Sequence, residues 1–353
     1  MGRPGPAGGI GVQWPYANYP VTLPWVNQTP SAGSSGGIGT RLSSGFALHI
    51  GVDTVNGKSY GGWTGSLKSS VSDAQAMAQL SASLGYTGAT LTDGDATSYA
   101  VMSGIGGLGS ICRPGDTVLL TFSGHGGQVP TGIDDRPGGV ADTWVLYDRM
   151  LIDDEIRAVF ASFAAGVRIV VISDCCHSGS DDDIEPGPPE GGGGVLPELR
   201  PRVIQPKASN ANVRKFAPVF DAAMPLAWSH YDIAADTLLL AACGDDEEAW
   251  EDATHGVFTS ALLSVWADGD YEGDYDKFLA LVAQKVRSLA EGQPQTPRIH
   301  LYGGSGVSSL RAQRPFVLAP ASDASLSGGA SSTVSVSFSG AQPPASVTVT
   351  FDR

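Results

Sequence analysis

Long apolar runs are missing from this chain. No stretch of about 18 apolar residues occurs, which argues against a membrane-spanning helix. The first residues also lack the basic segment and apolar core of a secretory leader. A cytoplasmic chain with no membrane partner is expected. Cysteine is scarce. Cys112, Cys175, Cys176 and Cys243 are too few for a disulfide scaffold, and the adjacent pair cannot easily bridge itself, so a reducing compartment fits. Basic charge is scarce too: 21 Lys and Arg against 36 Asp and Glu leave a formal charge of −15. That balance repels phosphate backbones, speaks against nucleic acid as a partner and favours cationic partners.

What is abundant is glycine, 47 residues, with 23 prolines, so long loops are expected in a chain of 353. Residues 1–42, rich in Gly, Pro and Ser, are expected to form an N-terminal arm. From Phe46 the pattern changes. Ala47–Val52, Ala89–Thr92, Asp116–Phe122, Val167–Asp174 and Asp236–Cys243 read as strands. Helical patterns alternate with them, from Asp73, from Thr97, over Asp153–Ala165, Gly256–Trp266 and Phe278–Leu289. Asp73 stands where a carboxylate can cap its helix. Apolar strands alternating with helices predict an α/β fold with a mainly parallel central sheet covered on both faces.

Residues 181–232 contain Pro186–Glu190 and the run Gly191–Gly194, a composition that predicts a flexible linker loop between a larger part, 43–180, and a smaller part, 233–311. Residues 312–353 alternate apolar and polar, as in Val334–Phe338 and Val347–Phe351, and predict a C-terminal β extension of hairpin type.

Two expected strands end in reactive side chains. One leads into Ser123-Gly124-His125-Gly126-Gly127, the other into Asp174-Cys175-Cys176-His177-Ser178-Gly179. In an open α/β sheet ligands bind at the carboxyl ends of the strands. If the two strands are neighbours, an imidazole and a thiol meet there, and the imidazole can activate the thiol as a nucleophile. The glycines give a substrate backbone close access, and the amides of Gly126 and Cys176 are placed to serve a developing oxyanion.

These two segments, in this order, resemble the paired signature of the caspase-like cysteine peptidases, of the metacaspase and bacterial orthocaspase type. The likeness extends over about residues 45–304 and includes Leu67–Ala74, Asp142–Asp148, Leu151–Glu155 and Gly256–Thr259. It implies a caspase-like three-layer sandwich acting as a cysteine endopeptidase, with Cys176 as nucleophile, His125 handling protons and Gly126 in the oxyanion site. It further implies cleavage after Arg or Lys, in protein or peptide substrates, through an acidic first pocket made by Asp73 and Asp174 and lined by Ser70 and Ser123. Calcium is implied as a cofactor, held by Asp142, Asp153, Asp154 and Asp183, an all-oxygen set suited to a hard cation. Self-cleavage in the loop 185–232 is implied as well, where Arg200, Arg202, Lys207, Arg214 and Lys215 supply basic sites. A monomer is favoured.

Blander readings accompany these. Asp73 can be only a helix cap, Asp174 only a loop brace, and acids at Asp153 and Asp154 suit any helix start. Asp245–Glu248 read as a solvated loop, and His49, His230, His255 and His300 as structural or surface residues. A peptidase of the same clan with another first-pocket preference, and a pseudopeptidase serving as an interaction scaffold, are the alternatives.

Overall fold

The computed structural model describes residues 43–130, 139–176, 199–223, 232–244 and 246–318. The expected arm, 1–42, and nearly all of the expected extension, 312–353, lie outside them, as do Asp183 and the Pro/Gly-rich part of the linker.

In chain order the strands are β1 (Gly45–Gly51), β2 (Thr87–Thr92), β3 (Thr117–Ser123), β4 (Gly126–Pro130), β5 (Val140–Val145), β6 (Met150–Ile152), β7 (Arg168–Asp174), β8 (Arg200–Pro201), β9 (Asp236–Ala241), β10 (Trp250–Glu251) and β11 (Arg298–Gly303). The helices are α1 (Ser70–Ser83), α2 (Ser98–Ile111), α3 (Asp153–Phe160), α4 (Pro206–Lys215), α5 (Ala217–Ala223), α6 (Val257–Trp266), α7 (Tyr275–Leu289) and α8 (Val307–Arg311).

Six strands form the central sheet in the order β11-β9-β7-β3-β1-β2. All neighbours run parallel except β11, which pairs antiparallel with β9. Every residue of β3 and β7 is buried, as expected for strands covered on both faces. Alternate residues divide the core. Ala47, Leu119, Val170, Ile172, Leu238 and Leu240 pack with Met77 and Leu80 of α1, Phe258 and Leu262 of α6 and Val282 of α7. On the opposite face Val171, Ser173 and Leu239 meet Ile156 and Phe160 of α3 across a cavity of about 230 Å³. The result is the three-layer arrangement expected from the resemblance.

The order places β1 and β3 side by side, with the connection after β1 leading to β2 on one side and the chain after β3 leading to β7 on the other. A crevice opens at such a switch point, above the carboxyl ends of the strands. The segments after β1, β3 and β7 all reach it.

Residues 200–223 differ from the expected loop: they carry β8, α4 and α5. Their composition explains this without the glycine run upstream. Pro206 opens α4, where its missing N–H costs nothing, and Arg214 and Lys215 close it, where cations suit the helix dipole. The small sheet β4-β5-β6 was also not expected; its strands are only 5, 6 and 3 residues long.

Candidate active site

Helix α1 starts at Ser70, three residues before the expected Asp73, and it is Asp53, after β1, that serves its first turn. The Asp53 carboxylate accepts from the Ser70 and Val71 amides at 2.7 and 3.4 Å. Asp73 is therefore not the cap; it is buried and turned into the crevice.

There it meets Arg202, whose side chain is completely buried. One guanidinium nitrogen of Arg202 donates to Asp73 Oδ2 at 2.7 Å and Ser69 Oγ at 2.9 Å, and lies 3.4 Å from Glu251 Oε2. The other donates to Ser123 Oγ at 2.7 Å and to the Asp174 carbonyl at 3.0 Å, and lies 3.1 Å from Asp174 Oδ1. Burial alone pulls the guanidinium pKa down, but Asp174, Asp73 and Glu251 outweigh it and raise it. Asp174 is pushed up by burial, against the pull of Arg202. Its Oδ2 accepts the Thr259 amide and hydroxyl at 3.0 and 2.6 Å, which fixes it to the start of α6. Gly256 closes the wall: a Cβ there would lie 2.2 Å from Asp174 Oδ2 and 2.5 Å from the Arg202 guanidinium.

Three of the four expected pocket residues thus converge: Asp73, Asp174 and Ser123. Ser70 does not contact the guanidinium; its hydroxyl is buried without a hydrogen bond and its neighbour Ser69 takes the place expected of it. The helix phase decides this, since α1 begins at Ser70 and turns that side chain away. Sequence reasoning missed Ser69, Glu251 and His255. Glu251 also accepts the Lys68 amide at 3.0 Å and the Ser69 hydroxyl at 2.6 Å. His255 Nδ1 sits 2.8 Å from Asp73 Oδ1, a bond that raises its pKa. Both lie far along the chain, Glu251 in the two-residue strand β10 and His255 in the loop after it, and neither carries a local motif.

The backbone of the same segment is held like a bound strand. Arg200 and Pro201 of β8 pair antiparallel with Glu251 and Trp250 of β10. The Arg202 amide donates to the Ala249 carbonyl at 2.8 Å. The Arg202 carbonyl accepts from the Gly126 amide at 2.9 Å and the Cys176 amide at 3.4 Å, the pair expected to serve an oxyanion. Downstream the Ile204 amide donates to the Gly126 carbonyl at 2.9 Å. Gly126 has no room for a side chain, because a Cβ would fall 1.8 Å from the Cys176 carbonyl oxygen.

His125 and Cys176 flank this peptide. Nε2 of His125 lies 2.9 Å from the Gly65 carbonyl, the ring packs tilted against Trp63 with centroids 4.8 Å apart, and Nδ1 is buried without a hydrogen bond. Burial lowers its pKa to about 4, while the carbonyl of Gly65 and the backbone of Val203 oppose that shift. Cys176 is fully buried. Its sulfur accepts the Ala249 amide at 3.0 Å and its thiol donates to the Ala249 carbonyl at 3.4 Å. Burial, and next the neighbouring Cys243, hold the thiol well above its ordinary range. Among the described residues no hydrogen bond joins this thiol to His125. Cys175 points elsewhere, to Ser173 Oγ at 3.3 Å, and burial pushes it up to about 12.

Of the expected calcium ligands, Asp142 and Asp153 line the cavity under α3, Asp154 is fully buried and Asp183 lies outside the described residues. No three metal-ligating side chains are grouped among the described residues, so Asp142, Asp153 and Asp154 do not by themselves form such a group there. No helix among those residues is long and apolar enough to cross a membrane.

Comparison with known proteins agrees with this architecture. The caspase domain of family Peptidase_C14 matches residues 44–302. Metacaspase-2 of Arabidopsis thaliana is 35% identical over 78 residues, 21% of this chain and 19% of that protein. Metacaspase-1A of Aspergillus niger is 29% identical over 153 residues, 39% of this chain and 36% of that protein. The matched stretches therefore span about a fifth to a third of these relatives. The crystal structure of protein GSU0716 from Geobacter sulfurreducens superposes with a TM-score of 0.66 at 34% identity, covering 78% of this chain and 99% of that one. With a buried His–Cys pair over the ends of β3 and β7 and a match across most of its length, this chain belongs to the caspase-domain family Peptidase_C14.

Proposed function

We propose that the protein is a cysteine endopeptidase that cleaves after Arg, and less well after Lys, and that it processes itself between Arg202 and Val203. The observation that supports this reading is the seating of Arg202. Its side chain fills an acidic hole, and its carbonyl rests on the amides of Gly126 and Cys176.

A cluster of three buried carboxylates without a cation is costly, so the pocket selects a basic side chain and rejects an acidic one. The contacts also fork. The two terminal nitrogens of Arg202 serve opposite walls, and a single ammonium cannot reach both.

In the proposed reaction the Cys176 thiol first leaves Ala249 by rotating about its Cα–Cβ bond and gives its proton to His125. The sulfur attacks the Arg202 carbonyl carbon, and charge on the carbonyl oxygen is met by the Gly126 and Cys176 amides. The Arg202–Val203 C–N bond breaks, His125 returns the proton to the Val203 nitrogen, and a thioester to Arg202 remains. Water hydrolyses it, with His125 as base. The resting thiol makes the uncleaved chain a latent form.

Calcium belongs to the proposal as a ligand of Asp142 and Asp153, which share one cavity, with Asp183 as a further oxygen donor. No step of the reaction passes through it.

A pseudopeptidase is favoured by one observation, the thiol bonded to Ala249 rather than to His125. Coumarin reporters ending in Arg, Lys or Asp separate the readings. The peptidase is expected to hydrolyse the Arg reporter at least tenfold faster than the Lys reporter, with no turnover of Asp and none by Cys176→Ala. Equal rates for all three, or for Cys176→Ala, would overturn it.

A further inference from the structure

Five basic residues, Arg200, Arg202, Lys207, Arg214 and Lys215, lie within sixteen consecutive positions, and the pocket holds only Arg202. The pocket's charge does not distinguish among them. What lies downstream does.

Helix α4 is fixed to the body by specific polar contacts. Asn212 is fully buried; its Oδ1 accepts from the Met150 amide at 3.1 Å and its Nδ2 donates to the Ser59 carbonyl at 3.1 Å. Lys215 Nζ donates to the Lys58 carbonyl at 3.2 Å and to Ser59 Oγ at 2.8 Å. Ala208 is buried on the same side. The seat is therefore built largely of backbone groups, belonging to the short turn Gly57–Ser59 and to the start of β6.

Between pocket and helix there is little slack. Arg202 to Pro206 is four steps, about 13 Å when extended, and the Ile204 amide already pairs with the Gly126 carbonyl. Moving Arg200 into the pocket requires a shift of two residues. That shift pulls Asn212 from its seat and leaves buried amide and carbonyl groups unpaired, which is far costlier than losing an exposed contact.

We propose that the seat formed by Lys58, Ser59 and Met150 is a docking site for the segment Pro206–Lys215, and that it sets the register of cleavage, with Asn212 as the positioning residue. This rests on the peptidase reading given above. The site measures distance: it accepts a helix that starts four residues after the cleaved bond and carries Asn ten residues after the Arg. Specificity for the linker is then divided between an acidic pocket for one side chain and a polar seat for a downstream helix.

The test compares the wild-type full chain with Asn212→Ala and with deletion of Gln205, which leaves the seat and its ligands in place. Intact-mass analysis over time gives the rate and position of linker cleavage, and turnover of an Arg-coumarin reporter by the same samples gives the competence of the catalytic groups. A merely structural defect lowers both and leaves the cut at Arg202–Val203. A register site moves the cut: both variants yield at least a tenfold larger share of fragments ending at Arg200 or Lys207 than wild type does. Cleavage confined to Arg202–Val203 in both variants would overturn the proposal and leave the peptidase reading standing. Absence of both linker cleavage and reporter turnover in wild type would remove the peptidase reading, and this proposal with it.

Discussion

A buried guanidinium among Asp73, Asp174 and Glu251 makes the pocket's preference a matter of individual oxygens. Asp73 makes the shortest contact, 2.7 Å, and Glu251 the longest, 3.4 Å. Breaking a buried ion pair from one side costs several kcal/mol. Asp73→Asn is therefore expected to lower kcat/KM for an Arg reporter about 100-fold and Glu251→Gln about tenfold, mostly through KM. Equal, unchanged KM values in both variants would contradict the pocket assignment. The histidines give a second prediction. Burial lowers His125 to about 4 and His49 to about 3 from an ordinary 6.5. Below pH 6.5 the unfolded chain binds protons at both sites and the folded chain does not, so stability is full above pH 6.5 and falls as pH drops toward 4. Each site contributes a slope of about 1.4 kcal/mol per pH unit. Urea unfolding between pH 6.5 and 4.5 is expected to show a slope shallower by one such increment in His125→Gln than in wild type; identical slopes would contradict it. At this scale the sequence exposed what sits in motifs, His125, Gly126, Asp174 and Cys176. It hid Glu251, Ser69 and His255, because their roles arise from chain segments about 180 positions apart.

Helix α1 shows how an element delivers a residue. Its first turn is satisfied from outside, by Asp53 at the end of β1, and this leaves Asp73 one turn later to face the crevice. Removing a carboxylate cap typically costs 0.5–2 kcal/mol. Asp53→Ala is expected to lower unfolding free energy by about 1 kcal/mol and also to weaken reporter turnover, because the start of α1 frays beside Asp73 and Ser69. Thr97→Ala, which removes the cap of α2 at Ala100 away from the crevice, should lower stability comparably and spare turnover. Loss of turnover in both, or in neither, would contradict the link between α1 and the pocket. The long apolar strands and α1, α2, α6 and α7 were legible because burial on both faces, or on one stripe, leaves a periodic trace. The short strands β4–β6, β8 and β10 leave none, and α4 was masked by the Pro- and Gly-rich stretch that precedes it. The antiparallel direction of β11 is set by its long-range pairing with β9, which no local pattern records.

Across the whole molecule, the linker departs after β7 and returns to β9, and these two strands are parallel neighbours in one sheet. A cut between them severs no sheet hydrogen bond, so self-cleavage is compatible with an intact core. The parallel sheet and its paired strand-end motifs were readable from the sequence because each repeats a strand–loop–helix unit. The occupant of the crevice was not readable, since its choice among five basic residues is made by three-dimensional seating alone. The most direct measurement of what that occupancy does is the intact mass of the purified full chain over time, compared with Cys176→Ala and Arg202→Ala. Wild type is expected to resolve into two fragments that part between Arg202 and Val203, with both variants uncut at that bond. A wild-type chain severed elsewhere, or a Cys176→Ala chain severed at that bond, would contradict it.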